Sequence, residues 1–128
     1  MNPEQNQAII CRLFHQLWIK ADLSCMDELI ADEYALHNPF LPSNRAGLKQ
    51  SVIMMHETFP AFRGEVHDTF ATGDRAMARW TRYCIHRGEF MGVAATNYEI
   101  TLRGTSICRF EAERVVEEWV EFDMFGLL

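Results

Sequence analysis

The sequence lacks several things, and each shortage removes a class of function. No apolar run approaches the roughly 20 residues that cross a bilayer, so no membrane partner is expected. The opening MNPEQNQ is polar and has no basic-then-apolar order of a secretory leader, which makes the cytoplasm the expected location. The 12 Lys and Arg are scattered singly in a chain of net charge −6. Recognition of a phosphate backbone needs such residues clustered, so nucleic acid is not an expected partner. The four cysteines, Cys11, Cys25, Cys84 and Cys108, lie far apart in apolar-patterned segments. With no metal or redox spacing they read as reduced, buried, small hydrophobes. HxH and HExxH are missing, so nothing in the spacing of His37, His86 and Asp123 supports a metal site. No linker, repeat or low-complexity stretch divides the chain, and its 128 residues suit a single domain, 1–128, with a proper core.

What is present changes period once. Asn2 can cap a first helix with Pro3 at its first position. Ile9, Ile10, Leu13, Phe14, Leu17 and Trp18 then recur at helical steps. Ser24 with Asp27 resembles a capping box before a short helix through Leu29 and Ile30. EYALHNPFLP reads as a short extended piece ending in an Asn-Pro turn. A third helix starts near Ser43, carries Leu48, Val52, Met55 and Phe59 on one stripe, and stops at Pro60. After Pro60 the period is two. GEVHDTFAT, RAMARWTRYCIHRG, NYEITLRGTSICRF and VVEEWVEFDMF read as four antiparallel strands, with turns at Gly73-Asp74 and EAER. Helices first and strands after imply an α+β fold, in which a twisted sheet curls round the helices.

The last strand poses the functional question. Glu117, Trp119, Glu121 and Asp123 occupy one set of alternate positions; Val116, Glu118, Val120, Phe122 and Met124 occupy the other. These sets point to opposite sides of a sheet. Either the oily set is the core and Asp123 is solvated, or the acidic set lines a cavity.

A set of short matches spans nearly the whole chain in one order: HNP at 37–39, Gly47, FPAF at 59–62, Val66 with Asp68, GDRAMARW at 73–80, HRGEFMGVAAT at 86–96, Arg103-Gly104, and VVEEWVEFDMFGLL at 115–128. Together they resemble the SnoaL-like polyketide cyclases, or predicted ester cyclases, of the nuclear transport factor 2-like superfamily. The resemblance implies a cone: three N-terminal helices packed in the concavity of a curved antiparallel sheet, a cystatin-like α+β barrel. It implies aldol-type closure, or related proton transfer, on a small hydrophobic carbonyl compound or ester, without cofactor. Asp123, four residues after Trp119, falls at the family's acid/base position. The resemblance thus turns the acidic face inward, leaves Val116, Val120 and Phe122 convex, and implies a homodimer through that convex face.

On this reading Asp123, His37 and His86 are the catalytic candidates, and Trp119, Trp80, Phe90, Arg103 and Glu121 the pocket candidates. A carboxyl pushed toward neutrality beside an aromatic can remove and return a proton, and a histidine can relay one. Trp80 shares parity with Cys84 and His86, so those three go in or out together, with Tyr83 opposite. Arg103 also suits an exposed cross-strand ion pair, and Asp68 with Arg79 a structural pair. His15, His56 and His67 have less claim. The alternative to an enzyme is a non-catalytic small-molecule-binding or interaction domain of the same fold.

Overall fold

A computed structural model describes residues 3–38, 43–60, 63–90 and 92–123. Asn2, Pro39, the second half of FPAF (residues 61–62) and residues 124–128 lie outside the described residues. Helix α1 spans Pro3–Arg12 and runs straight into a π-helical stretch, Leu13–Ile19. Its wider turn is seen where the Lys20 amide donates to the His15 carbonyl, five residues back. The expected stripe is the buried face: Ile10, Leu13, Phe14, Leu17 and Trp18 are all in the core.

The second helix starts differently from the expected capping box. Asp22 is the cap, its carboxylate accepting from the Ser24 amide and hydroxyl. A 3-10 turn over Leu23–Cys25 leads into α2, Met26–Leu29. Helix α3, Arg45–Thr58, is capped by Asn44, whose side-chain oxygen accepts from the Gly47 amide at 2.7 Å. Leu48, Val52, Met55 and Phe59 bury its inner stripe.

The sheet has five strands rather than four, in the order β1-β5-β4-β3-β2. The short extended piece before HNP is β1, Ile30–His37, and it lies parallel to β5. Strands β2 (Arg63–Thr72), β3 (Arg75–Ile85), β4 (Glu99–Glu111) and β5 (Arg114–Phe122) form the expected antiparallel meander. The sheet is curved and unclosed, with the helices against one face, so the fold is α+β as the period change implied.

Strand β3 shows which face is inside. Ala76, Ala78, Trp80, Arg82, Cys84 and His86 are buried, while Arg75 and Arg79 are exposed and Tyr83 is half-buried. Trp80, Cys84 and His86 therefore do turn in together. Two glycines make room for rings: a Cβ on Gly104 would collide with the Trp80 indole, and one on Gly64 would press on Phe14. The β4–β5 turn uses Ala112 and Glu113 at φ of 49° and 64°, a left-handed pair built without glycine.

Candidate functional site

Strand β5 sits the other way round from the orientation implied by the resemblance. Val116 and Val120 are buried, Val120 joins the core cluster, and Phe122 packs against it. Through the β4 register, Glu118 faces the Cys108 row and Val120 the Ser106 row, both inside. The opposite row, Glu117, Trp119 and Glu121, lies on the outer face, and Asp123 is exposed. The physical reason is apolar area: the helices need an oily surface to bury, and the valine row supplies it. Trp119, Glu121 and Asp123 thus do not line the interior, and Val116, Val120 and Phe122 do not form a convex dimer face.

The outer row builds two features. His37, at the end of β1, is paired in register with Trp119 and stacks on it, ring centroids 5.2 Å apart. Its Nε2 lies 2.7 Å from Glu117 Oε2, and Arg75 covers the same indole at 5.1 Å. Hydrogen bonds from His37 and Arg109 hold the Glu117 carboxyl below its ordinary range. His37 is thus a surface residue, and Asp123 lies four residues beyond its partner Trp119, roughly 13 Å along the strand.

The second outer feature is a groove of about 650 Å³ whose lining includes Arg79, Tyr83, Arg103, Glu121 and Asp123. Asp123 is tied to Arg103 by its backbone amide, which donates to the Arg103 carbonyl at 3.0 Å. Arg79 is held by Asp68 at 2.7 Å, the structural pair expected from the sequence. Arg103 makes no ion pair among the described residues, against the expected cross-strand pair. His67 falls at a register shift in β2, so both it and Asp68 are exposed; its Nε2 lies 2.7 Å from the Thr81 hydroxyl.

The interior holds His86, Trp80 and Phe90. His86 is 4% exposed, at the end of β3 where the chain leaves the sheet. Its backbone amide donates to the Tyr98 carbonyl and its own carbonyl accepts from Asn97, which holds φ of 60°. Its Nδ1 lies 3.2 Å from the Thr96 hydroxyl, and its ring leans on Phe59, with Phe90 edge-on to Phe59 at 5.0 Å. Nε2 is buried and has no hydrogen-bond partner among the described residues. Buried polar atoms are nearly always paired, so an unpaired imidazole nitrogen marks a place where something else can bind. An imidazole is also suited to moving protons near neutral pH.

Deeper inside lies a group that the sequence reading missed. Glu118, 6% exposed, accepts from the Tyr34 hydroxyl at 2.6 Å and also from Ser106 and Cys108. Burial raises its carboxyl above the ordinary 4.5, against the downward pull of those donors and of Arg82. Arg82, also 6% exposed, rests over the rings of Trp80, Trp18 and Phe14 at 4.0, 4.5 and 5.4 Å. Burial brings its guanidinium down to about 9, so it is still charged at neutral pH. The signals were present in the sequence: Arg82 shares parity with Trp80 and Cys84, and Glu118 interrupts the valine row. A cavity of about 10 Å³ separates these groups from the helices, room for about one water. Among the described residues no three His, Cys, Asp or Glu side chains gather to hold a metal.

The candidates therefore fall in three places. His86 and Phe90 are inside with the buried Trp80 ring; Asp123, Glu121 and Arg103 line the outer groove, which Trp80 also borders; His37 and Trp119 stack on the outer surface.

Helices over one face of this open, curved sheet define the nuclear transport factor 2-like cone. The sequence profile of the SnoaL-like polyketide cyclases matches residues 8–128, and the chain belongs to that family. Among solved structures it is similar to TsrD from Streptomyces laurentii, with 20% identity, 99% of this chain and 94% of that one covered, and a TM-score of 0.88. It is also similar to IdmH from Streptomyces antibioticus, described as a candidate polyketide cyclase, at 26% identity, 95% and 94% coverage and a TM-score of 0.82. A SnoaL-like polyketide cyclase from Agrobacterium tumefaciens matches at 17% identity, 99% and 96% coverage and a TM-score of 0.74. No curated protein matches the sequence. No helix among the described residues is long and apolar enough to cross a membrane.

Proposed function

We propose that the protein is a cyclase-like enzyme that moves protons on a small hydrophobic carbonyl compound or ester, without a cofactor, inside the cone. Family membership supports the reaction class. The observation that carries the residue assignment is the buried His86 ring with its unpartnered Nε2 beside Phe59. In this reading Nε2 removes a proton next to the substrate carbonyl and returns it to the new alkoxide, while Thr96 fixes the ring through Nδ1. The aromatic walls exclude water, which strengthens each polar contact with the substrate. Asp123, exposed on the opposite side of the sheet, is not the proton carrier in this reading. The test is deuterium exchange at the α-carbon of an aromatic 1,3-dicarbonyl probe. His86→Gln keeps the size and one polar atom but lacks a titrating nitrogen, and should lose at least about a hundredfold in rate. Full exchange by His86→Gln removes the assignment.

The second reading is binding without turnover in a domain of the same fold. It is distinguished by a ligand that binds with no exchange above the buffer rate.

The protein also pairs with a second copy in this proposal, through the outer face rather than through the valine row. That face carries acids on β5, Glu121 and Asp123, and guanidiniums on β4 and β3, Arg103 and Arg79. A two-fold axis across it can lay one copy's acids over the other's arginines.

A further inference from the structure

We propose that the outer groove is a second binding site, one that takes a small zwitterion of the α-amino acid type with a flat apolar side chain. It does not depend on the chemistry assigned to His86, which is buried within the cone.

The first argument is shape. The groove holds about 650 Å³ and is open in the single chain, so no element has to move to admit a ligand. That volume falls in the range of small-molecule sites. Short residues, Thr81, Gly104 and Thr105, line it beside long ones, Arg79, Arg103 and Glu121, which is how the face of a sheet becomes concave. Strand β2 adds a wall through an irregularity. Val66 pairs with Trp80 and Asp68 with Arg79, which leaves His67 as the extra residue of a β-bulge. Bulges re-aim side chains and are frequent beside functional sites. Here the bulge leaves both His67 and Asp68 exposed, with His67 on the groove and Asp68 against Arg79 at 2.7 Å.

The second argument is charge. Asp68 neutralises Arg79, so with His67 neutral the charges left in the lining are Arg103 against Glu121 and Asp123. Glu121 faces Thr105, and the Asp123 amide donates to the Arg103 carbonyl, so Arg103 and Glu121 are diagonal neighbours on β4 and β5. Long side chains reach each other at that spacing. Yet neither makes an ion pair among the described residues. A simple anion at Arg103 meets two carboxylates close by, and a simple cation at those carboxylates meets the guanidinium. A ligand with one charge of each sign satisfies both. Its carboxylate takes the Arg103 fork, and its ammonium takes the Glu121 and Asp123 oxygens. An α-amino acid carries both groups on one carbon, which suits partners on adjacent strands about 4.8 Å apart.

The third argument concerns the rest of the ligand. Tyr83 borders the same groove, with Arg63 over its ring at 4.5 Å, and Trp80 and Phe122 border it too. Aromatic surface of this kind receives a flat apolar side chain.

The experiment titrates the nitrogen-15-labelled protein with three probes: L-phenylalanine, 3-phenylpropanoate, which lacks the ammonium, and 2-phenylethylamine, which lacks the carboxylate. The amides of Arg103, Gly104 and Thr105 report binding. A second copy on this face competes with the ligand for Arg103, so affinities are extrapolated to zero protein concentration. The expected result is that L-phenylalanine shifts these amides and binds at least about tenfold more tightly than either single-charge probe. Arg103→Gln brings L-phenylalanine down to the level of 2-phenylethylamine. Glu121→Gln with Asp123→Asn brings it down to the level of 3-phenylpropanoate. His86→Gln leaves the preference unchanged. Amides unmoved by L-phenylalanine, equal affinities for the three probes, or a preference that survives both sets of groove substitutions each overturn the proposal. Positions 103, 121 and 123 are exposed, and should a variant still fail to fold, the wild-type contest among the three probes decides.

Discussion

The Tyr34 hydroxyl donates to Glu118 Oε1 at 2.6 Å, and this bond crosses from β1 to β5, the one parallel pair in the described sheet. It joins a strand from the helical half of the sequence to the last strand of the meander. Both groups are buried, so removing the hydroxyl leaves an acceptor short of a donor. Tyr34→Phe should cost about 1–3 kcal/mol in urea unfolding, more than an exposed tyrosine would.

Glu118 also gives stability a pH dependence. Its folded value lies above the unfolded 4.5 because burial disfavours the charge. The native state therefore holds its proton in a window where the unfolded state has lost it. The contribution is fully present below about pH 4.5 and is lost as pH rises through the folded value. Glu118→Gln should remove this part of the dependence. The variant should gain on the wild type as pH rises from 4.5 to 8 in parallel urea melts, and unchanged relative stability across that range contradicts the assignment.

Gly104 sits under the Trp80 ring, with no space for a side chain between them. Gly104→Ala should destabilise by about 1–3 kcal/mol, the usual cost of overpacking, and should shift the Trp80 indole resonance. The β4–β5 turn offers the opposite case. Ala112 holds φ of 49° without being glycine. Ala112→Gly should stabilise by about 0.5–1 kcal/mol, since the left-handed region costs an alanine more than it costs glycine. A melting temperature that falls would show the turn is held by something other than backbone preference.

The outer face leads to a prediction about assembly. Light scattering should give twice the chain mass of 14.9 kDa, and Arg103→Glu, which sets acid against Glu121 and Asp123 across the axis, should return the monomer. A wild type that runs as a monomer at all concentrations removes the pairing.

Much of this architecture was legible in residue spacing. The helical stripes of Ile10 to Trp18 and Leu48 to Phe59, and the shared parity of Trp80, Cys84 and His86, are local patterns, and burial follows them. The parallel placement of β1 was not legible, because its partner lies some 80 residues away and no local period encodes that pairing. On β5 the residues offered two answers. The valine row argued for an oily inner face, while the resemblance carried Asp123 inward. Apolar burial decides between them in the fold, and Asp123 is outside. The Arg82 and Glu118 pair escaped notice for a related reason. A charge in an oily row is read as an interruption unless its neighbours across the sheet are known, and those neighbours, Tyr34 and Ser106, come from distant parts of the chain.

The central claim is that proton transfer belongs to the inner face of the sheet. The most direct measurement is α-carbon deuterium exchange on one aromatic 1,3-dicarbonyl probe by the wild type, His86→Gln and Asp123→Asn, each checked for fold by circular dichroism. The account predicts that His86→Gln loses exchange while Asp123→Asn stays within about threefold of the wild type, as expected for a surface substitution remote from the reacting atoms. Exchange lost in Asp123→Asn and kept in His86→Gln would place the chemistry on the acidic end of β5 and contradict it.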